Sequence, residues 1–240
     1  MNNKEFVAKL IDIAKNYKTL YIMGCFGAPL NSANKAKYCN NHSYNKNATR
    51  QKMINSASSD TFGFDCVNLI KAVLWGWSGD KNKSYGGATY ATNGVPDINA
   101  DTMITKCLNV STDFSKLEVG EAVWCPGHIG VYIGDGLAVE CTPAWKNSVQ
   151  ITACNCAKSG YNRRDWKKHG KLPYITYEKA SGSKNKLETG NDIVWELMNG
   201  KHKVEILEVD KAVRALDKAK DNPDFASLYW ILHKLVNDNG

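Results

Sequence analysis

Of the eight cysteines in this 240-residue chain, Cys66 has the neighbourhood of a nucleophile. It stands in TFGFDCVNLIKAVLWG (61–76), directly after Asp65 and ahead of Val67, Ile70, Val73 and Leu74, which keep helical spacing. The pattern predicts a helix that begins at Cys66, with Asp65 as its cap and Gly76 as its stop. The first turn of a helix offers unpaired N–H groups and the positive end of the helix dipole. Both favour a thiolate, the reactive form of cysteine, and the same N–H groups can hold a developing oxyanion. A cysteine that only packs, under an Asp65 cap, fits the same residues.

A nucleophilic cysteine needs a base. Of the five histidines, His128 heads HIGVYIGDGLAVECT (128–142), two alternating runs around Gly134-Asp135-Gly136 that read as a hairpin. His42 lies in a polar loop, His169 in a basic stretch, and His202 and His233 near the C-terminus. A turn through Gly134-Asp135-Gly136 pairs Ile133 with Leu137, sets His128 opposite Thr142 and sets Gly130 opposite Glu140. Positions 128, 130 and 132 then share a face with 138, 140 and 142. His128 and Glu140 become diagonal neighbours, roughly 7–8 Å apart between backbones, with Gly130 leaving room between them. Glu140 can then orient the imidazole and stabilise its charged form. A two-residue turn would flip Glu140 away. Ile129, Val131, Ile133, Leu137, Val139 and Cys141 point to the other face, the core.

The words around these residues carry a family likeness. FDCVNLIKAVLWG resembles the nucleophile motif of NlpC-type cell-wall cysteine peptidases, and LEVGEAVWCPGHIGVYIGDGLAVECTP resembles their strand block. TLYIMGCFG resembles their upstream Tyr-x-x-Gly element. The matches fall in family order from about Tyr21 to Thr142. The resemblance implies a papain-like fold with Cys66 as nucleophile, His128 as base and Glu140 as the orienting third residue. It also implies that Tyr21 lines the catalytic wall and that Asp65 helps seat a peptide amine. Two positions depart from the pattern. Val67-Asn68 stands where the family often has Ser-Gly, and the third residue is acidic, as in the related CHAP amidases.

By resemblance, the chain is a phage-endolysin-like peptidoglycan hydrolase that cuts an amide of the stem peptide, as a D-glutamyl-type endopeptidase. An N-acetylmuramoyl-L-alanine amidase differs only in the amide attacked. A phage structural or wall-binding module with a relic fold is a non-catalytic alternative.

The elements around this set predict an α+β domain. Phe6, Leu10, Ile13 and Ala14 mark an amphipathic first helix; the expected order is that helix, the Cys66 helix, then antiparallel strands. The catalytic domain is expected over 1–178. The Gly/Ser/Lys-rich segment 179–190 reads as a linker, and three short apolar-striped helices over 191–240 read as a small bundle for wall binding or homo-oligomerisation. The Asn40–Arg50 loop and the Gly76–Phe114 segment carry no assignable motif.

The net charge of +7 is uneven: residues 185–240 hold 8 Lys/Arg and 10 Asp/Glu, the remainder 23 and 14. A basic catalytic part suits an anionic wall. Scattered charges without a basic helix argue against nucleic acid. No apolar run approaches the roughly 18 residues of a membrane span, and charged residues interrupt any signal-peptide core. Cytoplasmic synthesis is therefore expected, with release through a holin pore implied by resemblance. Cys154-x-Cys156 is not a C-x-x-C pair, and Cys39 and His42 lack a second pair at ligand spacing. No metal, cofactor or disulfide framework is expected.

Overall fold

The computed structural model describes residues 1–177. The expected linker and helical module lie outside the described residues.

Helix α1 (Asn3–Asn16) opens on a capping box. Asn2 accepts from the Glu5 amide at 2.8 Å, and Glu5 accepts from the Asn2 amide at 3.0 Å. Its Phe6, Val7, Leu10 and Ile13 are buried. Strands β1 (Thr19–Tyr21) and β2 (Phe26–Pro29), helices α2 (Ser32–Tyr38) and α3 (Ala48–Ser56), and strand β3 (Phe62–Phe64) follow. The three strands form a sheet in the order β1-β3-β2, with β1 parallel and β2 antiparallel to β3. The expected order was therefore incomplete: a small sheet and two short helices separate α1 from the Cys66 helix. These strands are three or four residues long, and β2 and β3 contain Gly or Pro, so they carry no alternation to read.

Helix α4 (Cys66–Leu74) is buried along its whole length. It ends as the sequence predicts. Gly76 takes φ 88°, its amide donates to the Val73 carbonyl, and the Trp77 amide donates to the Ala72 carbonyl at 2.9 Å. This is a Schellman cap, for which a residue with a Cβ is strained.

Segment 76–114 is attached to α4 by side chains. Trp75 Nε1 donates to Val95 O at 2.9 Å and Asn93 Nδ2 to Leu74 O at 2.8 Å. Lys71, 2% exposed, pairs with Asp97. The segment also supplies α5 (Ala100–Lys106) and β4 (Leu108–Ser111).

The remaining strands are β5 (Ala122–Cys125), β6 (His128–Gly134), β7 (Leu137–Thr142), β8 (Ser148–Cys154), β9 (Arg163–Arg164) and β10 (Lys168–Lys171). With β4 they form a seven-stranded sheet, β4-β10-β5-β6-β7-β8-β9, antiparallel except between β8 and β9. One face packs on α1, α4 and α5, and contributes Ile129, Val131, Val139, Cys141 and Val149 to the main core. This is a mixed α+β architecture.

The hairpin differs from expectation in an instructive way. Its turn is a two-residue one: Gly134 pairs with Leu137, and Asp135 and Gly136 both have positive φ, 58° and 68°. A turn of that length would send Glu140 to the wrong face. A bulge at Ile133 restores the parity, because the next pairs are Tyr132 with Ala138 and Val131 with Val139. The second face of the sheet is also covered. Trp166, Phe114 and Leu117 pack over Val123, Ala138 and Cys154 there.

Candidate active site

Cys66 occupies the first position of α4, and its cap is built as expected. The Asp65 carboxylate accepts from the Asn68 amide at 2.8 Å, from Asn68 Nδ2 at 2.6 Å and from the Gly24 amide at 2.8 Å. Asp65 is 4% exposed. It therefore ties the β1–β2 turn to the helix start, and almost none of its surface is open to a peptide amine. Burial raises its pKa, against the hydrogen bonds from Asn68 and Gly24.

The thiol of Cys66 does not ionise through the helix start alone. Burial pushes it up to about 12, and the neighbouring Asp65 charge adds to the rise. The amides of Ile129, Val67 and Cys66 itself act in the opposite direction and are outweighed. Burial thus opposes the thiolate that the helix start favours. The proton needs an acceptor, and the Ile129 amide on the sulfur brings the start of β6 against the thiol.

That strand start carries His128. Its Nε2 lies 2.7 Å from Glu140 Oε2. A carboxylate only accepts, so Nε2 holds the proton and Nδ1 keeps the basic lone pair. The ring stacks on Trp166, with centroids 5.5 Å apart and planes 10° apart. Gly130 sits below this stack. A Cβ there would meet Val139 O at 2.8 Å and Trp166 at 3.0 Å, so the room that Gly130 leaves is filled by the indole.

Glu140 is fully buried and accepts from three donors. Besides His128, Thr152 Oγ1 reaches Oε1 at 2.6 Å, while Arg164 Nε lies 2.9 Å from Oε1 and 2.7 Å from Oε2. Burial works to raise the carboxyl, but the hydrogen bonds and charges of His128 and Arg164 hold it below the ordinary carboxylate range. Arg164 also donates to Thr142 Oγ1 at 3.1 Å and lies between Trp145 and Trp166, 4.8 and 5.7 Å from their ring centres. Thr152, Arg164 and Trp166 were not singled out from the sequence. The run RRDW (163–166) is the only local signal, and nothing in it points back to Glu140.

Tyr21 ends β1 and is 5% exposed. Burial raises its hydroxyl pKa far above the ordinary tyrosine value, and the Cys66 and Asp65 charges add to it. It stays a neutral donor beside the thiol. Its ring meets Tyr44 edge-on at 5.9 Å, which brings the Asn40–Arg50 loop to this wall.

A second His–Glu pair tests how selective the geometry is. His169 and Glu121 are both buried, with Nδ1 on the carboxylate and Nε2 donating to Asp113 O at 3.0 Å. Cys107 is near enough for the Glu121 charge to raise its thiol. Both imidazole nitrogens of His169 are occupied, so it has no lone pair for that cysteine. In His128, by contrast, Nε2 has a hydrogen-bond partner and Nδ1 has none among the described residues.

No family model matches this chain, and no curated protein matches it. Among solved structures, the P60 domain of an antigen from M. avium subspecies paratuberculosis aligns over 71% of this chain and 94% of its own, with 16% identity and a TM-score of 0.37. Residue roles here come from the geometry of this chain.

Proposed function

We propose that this protein is a papain-like thiol hydrolase that cleaves an amide in the peptidoglycan stem peptide. The supporting observation is the His128–Glu140 pair: the Nε2–carboxylate bond at 2.7 Å leaves Nδ1 as the base, on the strand whose Ile129 amide reaches the thiol of a cysteine at a helix start. The motifs of the sequence supply the substrate class.

In this reading, the Cys66 proton passes to Nδ1 of His128 as the sulfur attacks the amide carbonyl. The oxyanion lies against the first-turn amides of α4, with the Tyr21 hydroxyl beside them. The imidazolium, steadied by Glu140, gives its proton to the departing amine and leaves a thioester on Cys66. Water, deprotonated by the same imidazole, then releases the peptide acid. Only neutral-to-charged changes at His128 are needed, and Glu140 stays ionised throughout.

The finer reading is an endolysin-like enzyme cutting at the D-glutamyl bond, with the wall as its partner and release through a holin. The acidic third residue, Glu140, favours a second one, the muramoyl–L-Ala amidase. Digestion of defined muropeptides with mass analysis separates them: a new amine on a residue beyond D-Glu indicates the endopeptidase, and a new amine on L-Ala the amidase. A Cys66→Ala protein that still cuts either bond would overturn both.

A further inference from the structure

Arg50 is a buried cation whose charge is unanswered. It lies in the first turn of α3, is 7% exposed, and is held by neutral acceptors only. Nη2 donates to the Tyr21 carbonyl. Nη1 donates to Asn147 Oδ1 at 2.7 Å and contacts Met53 Sδ at 3.4 Å. Nε is buried with no acceptor. The guanidinium lies 5.2 Å from the ring centre of Tyr44 and 5.8 Å from that of Tyr21. Among the described residues, the other buried basic side chains each have a carboxylate: Lys71 has Asp97 and His169 has Glu121. The other described arginines do as well, Arg163 with Asp165 and Arg164 with Glu140.

A guanidinium taken from water without a counter-charge is costly, and dipoles and ring faces offset only part of that cost. The position of Arg50 is informative. It is one residue removed from the nucleophile: Tyr21 gives its carbonyl to Arg50, while its hydroxyl feels the Cys66 charge. The neighbours that Arg50 touches reach solvent. Tyr44 is 36% exposed, Met53 39% and Trp145, on the loop that carries Asn147, 47%. Aromatic and thioether walls over a fork of N–H donors suit a peptide segment bearing a free carboxylate.

We propose that Arg50 anchors a carboxylate of the bound peptide, next to the amide presented to Cys66. The inference rests on the stem-peptide reading for the identity of that peptide. The incoming carboxylate replaces Asn147 and Met53 on Nη1 and supplies the missing counter-charge. Fixing that carboxylate sets which amide reaches the sulfur.

The test separates binding from chemistry. In a Cys66→Ala background, calorimetry compares L-Ala-γ-D-Glu-L-Lys with the same peptide carrying a glutamate α-carboxamide. The free acid should bind at least tenfold more tightly. Arg50→Gln should erase the difference, and Arg50→Lys should keep an intermediate preference. Circular dichroism checks that each variant folds; should Arg50→Gln unfold, the Arg50→Lys comparison alone decides. Equal affinities in the Arg50 protein, binding of neither peptide, or a preference unchanged in the Arg50 variants would overturn the proposal. If the preference is present but the Cys66 protein cuts nothing, the carboxylate site stands and the hydrolase reading falls. Cleavage without the preference does the reverse.

Discussion

The sharpest prediction concerns Glu140→Gln. The side chain keeps its volume but loses its charge and one of its two acceptor oxygens. Three donors converge on that carboxylate: His128 Nε2, Thr152 Oγ1 and Arg164 Nε. The single amide oxygen is best spent on Arg164 and Thr152, because the cation loses most by being left unpaired. The new NH2 group then faces His128 Nε2. Two donors cannot share that contact, so the imidazole moves its proton to Nδ1, the nitrogen that must act as base. The expected result is a fall in kcat of about 10²–10⁴-fold, the range for loss of a positioned general base or its correct tautomer. Stability falls as well. Breaking a buried ion pair costs roughly 3–5 kcal/mol, but Arg164 retains Thr142 and its side chain is 20% exposed, so about 2–4 kcal/mol is expected.

Two measurements separate orientation from packing: urea unfolding for stability and muropeptide kinetics for kcat. Adding Arg164→Met removes the orphaned cation. The double variant should recover half or more of the lost stability while kcat stays low. A single variant whose kcat lies within threefold of the parent would refute the reasoning, as would a double variant with restored activity. The pH dependence has a definite sign. The Glu140 carboxyl is lowered in the fold from its ordinary value of 4.5, so its contribution is complete above that value. It is lost as pH falls through the lowered folded value. Glu140→Gln should therefore flatten the acid limb of the stability profile below about pH 4.5.

Other perturbations follow from the same contacts. Gly130→Ala drives a Cβ into Val139 O and the Trp166 ring, so a loss of about 1–3 kcal/mol is expected, with an altered tryptophan emission. His128→Ala removes the acceptor for a thiol pushed up to about 12; iodoacetamide labelling of Cys66 near neutral pH should slow at least tenfold, and an unchanged rate would mean that the helix start ionises the sulfur unaided. Lys71→Met should cost about 1–2 kcal/mol in urea unfolding, because the buried ammonium holds Asp97 and the Ile98 carbonyl to α4, while the freed Asp97, 43% exposed, is rehydrated.

What the sequence made legible follows from the range of the interactions involved. The start of α4 is local: a cap, an apolar period and a stop within twelve residues, all of which act on one another through the chain. The contact between His128 and Glu140 was legible because a hairpin propagates parity over a dozen residues. That inference reached the right face with the wrong turn. The assumed three-residue turn and the observed two-residue turn with a bulge give the same register, since both leave Tyr132 opposite Ala138. Residues that answer to no local period stayed invisible. Arg164, Trp166 and Thr152 complete the environment of Glu140 from β8, β9 and the segment after it, and only the sheet order brings them there. The burial of Cys66 was hidden from the sequence for the same reason. The helix terminus is local and readable, whereas the burial that opposes it comes from distant segments such as β6, whose Ile129 amide reaches the thiol. Composition limits such readings as well: a buried guanidinium such as Arg50 looks like any surface arginine until its neighbours are known. The His128–Glu140 pair was thus visible in the pattern of the strands, while the groups that surround Glu140 were visible only in three dimensions. Substitutions at Arg164 should accordingly shift the pH profile of kcat more than they change KM, which is what a positioning role requires and a packing role does not.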